Sequence, residues 1–139
     1  MQKISDLSSS MIDYIEAKRD WVKHHYTPES LYAYDTIKGK LHLLNIILKS
    51  NWIEKNEIAK FQSLGITLGD VIVQDLGFEW IEVEDEYGTD PALLYPDTTL
   101  KLFPLTMISK RIENGEDFDI YDFYKKLKAN IKEIKSQAG

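Results

Sequence analysis

A change of rhythm at Gly77 constrains this chain more than any other feature. Before it, apolar residues recur every three or four positions; from Phe78 to Glu84 they alternate, so a helical pattern gives way to a strand pattern. The alternation places Ile81 and Val83 on one face, expected to be the core, and Phe78, Trp80, Glu82 and Glu84 on the other. Asp85-Glu86-Tyr87-Gly88 supplies turn chemistry, with Gly88 able to take a positive φ. A second strand over residues 92–95, bounded by Pro91 and Pro96, and a third over residues 98–103 complete an antiparallel meander.

Helical patterns flank this small sheet on both sides. Residues 4–25 carry Ile4, Leu7, Met11, Tyr14, Lys18 and Trp21 at helical spacing. Thr27 suits an N-cap and Pro28 the first helical position of a second helix, whose seam is Tyr34, Ile37, Leu41, Leu44 and Leu48. Gly39 inside that helix costs ~1 kcal/mol of propensity, which predicts a close approach by neighbouring backbone. Residues 53–75 read as a third helix bent at Gly65 or Gly69, and Gly77 suits its left-handed C-cap. Beyond the sheet, residues 104–112 form a helix and Asp119 caps a last one carrying Ile120, Phe123, Leu127, Ile131 and Ile134. The expected architecture is one α+β domain over residues 1–139: an N-terminal helical hairpin, a third helix, a three-stranded antiparallel meander and two C-terminal helices.

Charge is distributed in blocks. Residues 77–97 hold seven acids and no base, more than the whole net charge of -6, whereas residues 123–139 hold five lysines against Glu133. An acidic hairpin repels nucleic acid and steers basic partners, and the lysines of the last helix read as a solvated face. The chain has no cysteine, so disulfides and thiolate zinc sites are excluded. Its most apolar stretch, residues 41–48, is interrupted by His42 and Asn45 and is far shorter than the ~20 residues that cross a bilayer; the expectation is a cytoplasmic protein without membrane contact.

The stretches Leu64-Gly-Ile-Thr-Leu-Gly-Asp70, Leu76-Gly-Phe-Glu-Trp80, Glu84-Asp-Glu-Tyr-Gly88 and Phe103-Pro-Leu-Thr-Met-Ile-Ser-Lys-Arg111 resemble, in this order, a bacterial family catalogued as domain of unknown function 3806. The resemblance covers roughly residues 30 to 125 and implies a bacterial α+β domain. It transfers no activity, cofactor or catalytic residue.

Function must then be sought in the side chains. Glu82, Glu84, Asp85, Glu86 and Asp90 have the oxygen chemistry of a Mg²⁺ or Ca²⁺ site, but they lack the ligand spacing of a calcium loop, and alternation sends Glu84 and Asp85 to opposite faces. His24, His25 and His42 sit in no ligand motif, and no nucleophile motif or phosphate loop is present. No catalytic residue, metal or cofactor is therefore expected. What stands out is an aromatic pair among carboxylates, Trp80 and Tyr87 with Glu82, Glu84, Glu86 and Asp90, the composition of a protein-binding surface. The reading is a non-catalytic module that binds a basic protein, an inhibitor or immunity protein against a basic toxin being one form. The competing reading is an enzyme, or a small-ligand or metal-binding domain, using the hairpin carboxylates with Lys110, Arg111 or a histidine.

Overall fold

The computed structural model describes residues 2–25 and 33–138, apart from the side chains of His25, Gln137 and Ala138. In order these residues form β1 (Lys3–Ser5), α1 (Ser9–His25), α2 (Ile37–Lys49), α3 (Ile58–Leu76), β2 (Glu79–Asp85), β3 (Gly88–Leu94), β4 (Lys101–Leu102), a 3₁₀ turn (Pro104–Thr106), α4 (Met107–Glu113) and α5 (Ile120–Ala138). The α+β class expected from the sequence is what forms, with five helices and one antiparallel sheet of order β1-β2-β3-β4 among the described residues.

The molecule is built around α3. Phe61, Leu64, Ile66, Leu68, Val71 and Ile72 are buried on successive sides of it, and a helix that is apolar all round is one that is covered all round. The covers are α1, α2, α4 and the 3₁₀ turn, so α1 and α2 each take α3 as their main partner, and the expected N-terminal helical hairpin is replaced by two helices laid on a third. No bend at Gly65 or Gly69 is needed, because α3 runs unbroken to Gly77, which caps it at φ 77° as expected.

α3 begins at Ile58 rather than at residue 53, β3 at Gly88 rather than at residue 92, and β4 is confined to Lys101–Leu102 rather than residues 98–103; two helix starts differ for identifiable reasons. The first helix starts late because Ser8 caps it, accepting the Met11 amide on its hydroxyl at 3.2 Å and the Ile12 amide on its carbonyl at 2.9 Å. The residues freed before it become β1, with Ile4 opposite Val83, so the meander has four strands rather than three. The buried side of α1 is correspondingly Ile15 and Val22, and Tyr14 faces outward. In α2 the cap is Thr36, whose hydroxyl accepts the Gly39 amide at 2.9 Å; Tyr34 precedes the helix instead of starting its seam. The close approach expected at Gly39 is present, since a Cβ there would stand 1.9 Å from the Ala33 carbonyl oxygen. Thr27 and Pro28 lie outside the described residues.

The sheet is apolar on both faces: Ile81 and Val83 are buried as expected, and the opposite face carries the rings that meet α3. Trp80 pairs with Leu93, and these two, with Phe78, turn toward α3, whereas Ile81, Val83 and Ala92 form a separate small cluster on the other side. Alternation fixes which residues share a face; it does not say which face the helices will choose. The larger rings win because α3 offers them a groove at Gly69. Pro91 lies within β3, where it is tolerated because β4 pairs only with Leu93 and Leu94 and leaves the strand open beyond them.

The last helix, capped as expected by Asp119 at 3.1 Å from the Tyr121 amide, docks through Tyr124. The Tyr124 hydroxyl donates to Asp75 Oδ2 at 2.7 Å, with Lys128 Nζ 3.1 Å from the same oxygen. The Tyr124 hydrogen bond first, and the Lys128 charge after it, hold Asp75 below its ordinary carboxylate range. A carboxyl whose folded pKa is depressed stabilises the fold above its unfolded value, near pH 4, and loses that contribution as pH falls through the folded value. Tyr124→Phe is accordingly expected to cost about 1–2 kcal/mol at neutral pH. The gap between variant and parent should narrow in acid, as the pH falls through the depressed folded value and Asp75 gains its proton. Thermal unfolding at neutral pH and in acid checks this, and a gap of constant size contradicts it.

Candidate functional site

The hairpin tip follows from local chemistry. Asp85 accepts the Tyr87 amide on Oδ1 at 2.9 Å, and Gly88 at φ 132° lets the chain reverse so that Asp85 and Gly88 close the ladder. Glu86 and Tyr87 are left at the apex, with the Tyr87 side chain 90% exposed. Glu84 and Asp90 are exposed on the flanking strands. Glu84 lies opposite Thr89 on one side and Lys3 of β1 on the other, while Asp90 lies opposite Val83 and so belongs to the other face.

Of the six residues singled out from sequence, Glu84, Glu86, Tyr87 and Asp90 gather at this tip, and Trp80 and Glu82 are drawn into the body. Glu82 Oε1 accepts the Ser8 amide at 2.7 Å, tying β2 to the start of α1. The Trp80 ring lies on α3 where Gly69 leaves room; a Cβ at that position would stand 2.5 Å from the indole. Its Nε1 donates to Asp70 Oδ1 at 3.0 Å.

Asp70 is the residue that sequence reasoning missed. Its carboxylate is clasped by Arg19, which donates Nε to Oδ2 at 2.7 Å and Nη2 to Oδ1 at 2.8 Å, and it also accepts the Tyr34 hydroxyl on Oδ2. Each oxygen thus receives two donors, and one side chain joins α1, the approach to α2, α3 and β2. The hydrogen bond to Asp70 holds Arg19 charged well above the ordinary range. Burial, reinforced by the Asp70 charge, raises the Tyr34 hydroxyl as well. Nearby, Lys40 donates to Gln74 Oε1 and is lowered by desolvation. A carboxylate with four donors has its lone pairs engaged, and the clasp ties these elements together. The signal for it was legible: Asp70 is the sole charged residue between Lys60 and Asp75, and a carboxylate inside an apolar stripe requires partners.

Three of the four stretches that carry the family resemblance meet around this point, and the fourth, Glu84 to Gly88, is the hairpin tip. Gly69 and Asp70 meet Trp80, and a Cβ at Gly65 would stand 2.5 Å from the Pro104 carbonyl oxygen and 2.7 Å from that of Leu105. Arg111 lies across the Phe123 ring at 4.5 Å, occupied on α5. Among the described residues no group of three or more His, Asp or Glu side chains is placed to hold a metal ion. No helix among them is long and apolar enough to cross a membrane.

Similarity to known proteins bears on the fold. A crystal structure from Bacteroides thetaiotaomicron VPI-5482 superposes with a TM-score of 0.71 at 16% identity, covering 89% of this chain and 46% of that one. The chain therefore spans less than half the length of that protein, and the likeness is one of fold alone. No functionally curated protein matches the sequence. The model of the family described as Domain of unknown function (DUF3806) matches residues 40–124, which take in Gly65, Asp70, Trp80 and the whole hairpin, with Arg19 and Tyr34 outside the match. With most of its length matched in this way, the chain belongs to the DUF3806 family.

Proposed function

We propose that the protein is a non-catalytic binding module of the bacterial cytoplasm that presents the β2–β3 hairpin tip to a basic protein. The observation that carries this reading is the tip itself: Tyr87, 90% exposed, stands at the apex next to Glu86, with exposed Glu84 and Asp90 on opposite faces of the flanking strands. An exposed aromatic anchor on an acidic hairpin matches the chemistry of association sites, where the ring supplies contact area and the charges steer the encounter. The filled acceptors of Asp70 support the non-catalytic part of the reading, because the best-buried carboxylate is already committed to structure. A basic toxin held inactive by this contact is the partner class that the charge favours.

The test begins with capture of a partner from the native cell's lysate and continues with association kinetics on the captured protein. Glu84→Lys, Glu86→Lys and Asp90→Lys together are expected to slow association by at least about tenfold at low salt. The deficit should shrink toward about 1 M salt, where the Debye length falls to roughly 3 Å. Tyr87→Ala is expected to act on dissociation instead, at about 2 kcal/mol or more. An unchanged association rate for the triple variant at low salt removes the proposal.

A further inference from the structure

The segment after β3 folds on itself before β4 begins. Tyr95 donates its amide to the Leu100 carbonyl at 3.0 Å, the Thr98 amide and hydroxyl return to the Tyr95 carbonyl at 3.2 and 2.7 Å, and the Leu100 amide donates to the Thr98 hydroxyl at 3.1 Å. Asp97 turns the chain at φ 63°. The inner side of Tyr95 rests on Phe78, ring centroids 5.3 Å apart, so this wall is anchored to the core. The opposite wall is the last part of α5.

Between the walls runs an open groove of about 680 Å³, within the ~300–1,000 Å³ range of small-molecule sites. Its apolar surface comes from Tyr95, Leu100, Phe103 and Ile134, of which Phe103 is 38% and Ile134 44% exposed. Two lysines line the same space. Lys135 Nζ sits 3.9 Å from the Tyr95 ring centroid, and Lys101 Nζ reaches only the Thr99 carbonyl at 3.4 Å. Neither lysine has a carboxylate within ion-pair distance among the described residues, although the chain is acidic overall and Lys60, Lys126 and Lys128 are each paired.

We infer that this groove binds a small amphipathic carboxylate, an acyl or aryl acid whose apolar body lies along Tyr95, Leu100, Phe103 and Ile134 and whose head group meets Lys101 and Lys135. Both halves of the ligand are required by what is there. An anionic head group supplies the carboxylate partner that Lys101 and Lys135 lack among the described residues, an apolar body covers the floor that a bare anion leaves wet, and a cationic amphiphile is repelled. The walls select a compact ligand over an extended peptide, since β4 is two residues long and the facing wall is a helix with no backbone edge to pair.

Dodecanoate serves as the probe, titrated by calorimetry, with acetate and dodecyltrimethylammonium as the head-only and reversed-charge controls. Dodecanoate is expected to bind one site with a Kd on the order of 10 μM, and neither control should bind measurably at ~1 mM. The Lys101→Gln/Lys135→Gln double variant, whose substituted side chains are half-buried at the groove, should weaken binding by at least about tenfold while still showing a cooperative melting transition. Phe103→Ser should weaken it comparably. NMR shift changes should centre on Tyr95, Leu100 and Ile134. The inference is overturned by absence of dodecanoate binding at ~1 mM, by equal binding of the cationic amphiphile, by indifference to the double lysine variant, or by shifts confined to another surface. The hairpin variant of Glu84, Glu86 and Asp90 should bind dodecanoate normally, so the two proposals fail separately.

Discussion

Asp70→Ala is expected to remove about 3–5 kcal/mol of folding stability, the usual consequence of taking one member out of a buried ion pair. The Asp70 carboxylate is only 11% exposed, and it answers both the Arg19 guanidinium, itself 19% exposed, and the donors of Tyr34 and Trp80. Its removal leaves Arg19 with only the more exposed Glu16, 2.6 Å from Nη1, and strands two neutral donors, each of which gave up water to reach the Asp70 carboxylate. A domain of this size has roughly 5–15 kcal/mol in total, so the variant should sit near the edge of folding. Urea unfolding measures the effect, and a loss below about 1 kcal/mol would mean that the clasp is wet enough for solvent to replace the carboxylate. The Arg19→Ala/Asp70→Ala double variant should lose less than the two single variants combined, because it leaves no stranded charge.

Gly65→Ala is the second large effect, and its sign runs against helix propensity. In an exposed helix the change would gain ~1 kcal/mol. Here the added Cβ stands 2.5 Å from the Pro104 carbonyl oxygen and 2.7 Å from that of Leu105, both backbone atoms that no side-chain rotation can move. The 3₁₀ turn has to lift off α3, and with it the start of α4, at a net cost of about 2–3 kcal/mol. For a domain of this size that corresponds to a fall of roughly 10 °C in melting temperature. Calorimetry settles it: an unchanged or raised Tm would mean that the turn is free to move. Gly69→Ala meets the Trp80 ring rather than backbone, and should cost less to the extent that the indole can tilt without breaking its bond to Asp70.

The parts of this fold that were legible in sequence are those set by short-range chemistry. The α+β class, the turn at Asp85 through Gly88, the left-handed Gly77 and the Asp119 cap all depend on residues a few positions apart, and each forms as read. What failed depends on partners distant in sequence. Ile4 continues the helical spacing of Leu7 and Met11, yet it pairs with Val83, and only the presence of an open β2 edge decides that. Trp80 and Tyr87 look alike as aromatics among carboxylates, but a glycine 11 positions before Trp80 makes room for its ring, and nothing comparable receives Tyr87. The candidate surface was thus partly legible: Glu84, Glu86, Asp90 and Tyr87 stand at the tip, while Trp80 and Glu82 are drawn into the body. Asp70 was visible as an anomaly in an apolar helix, but its partners, Arg19 and Tyr34, lie 51 and 36 residues away.

The sheet's unequal strands bear on how the protein keeps to itself. Its two central strands are seven residues each, while the outer strands number three and two. A neighbouring chain seeking to add a strand finds only short stubs at either side. Where β4 stops, the rest of β3 runs Gly88-Thr-Asp-Pro-Ala, a stretch with a glycine, a charge and a residue that has no amide hydrogen to donate. Short outer strands and such a stretch are unfavourable templates for fibrils, and Pro91→Val, which restores the donor, is expected to raise the tendency to aggregate, as turbidity at high concentration would show.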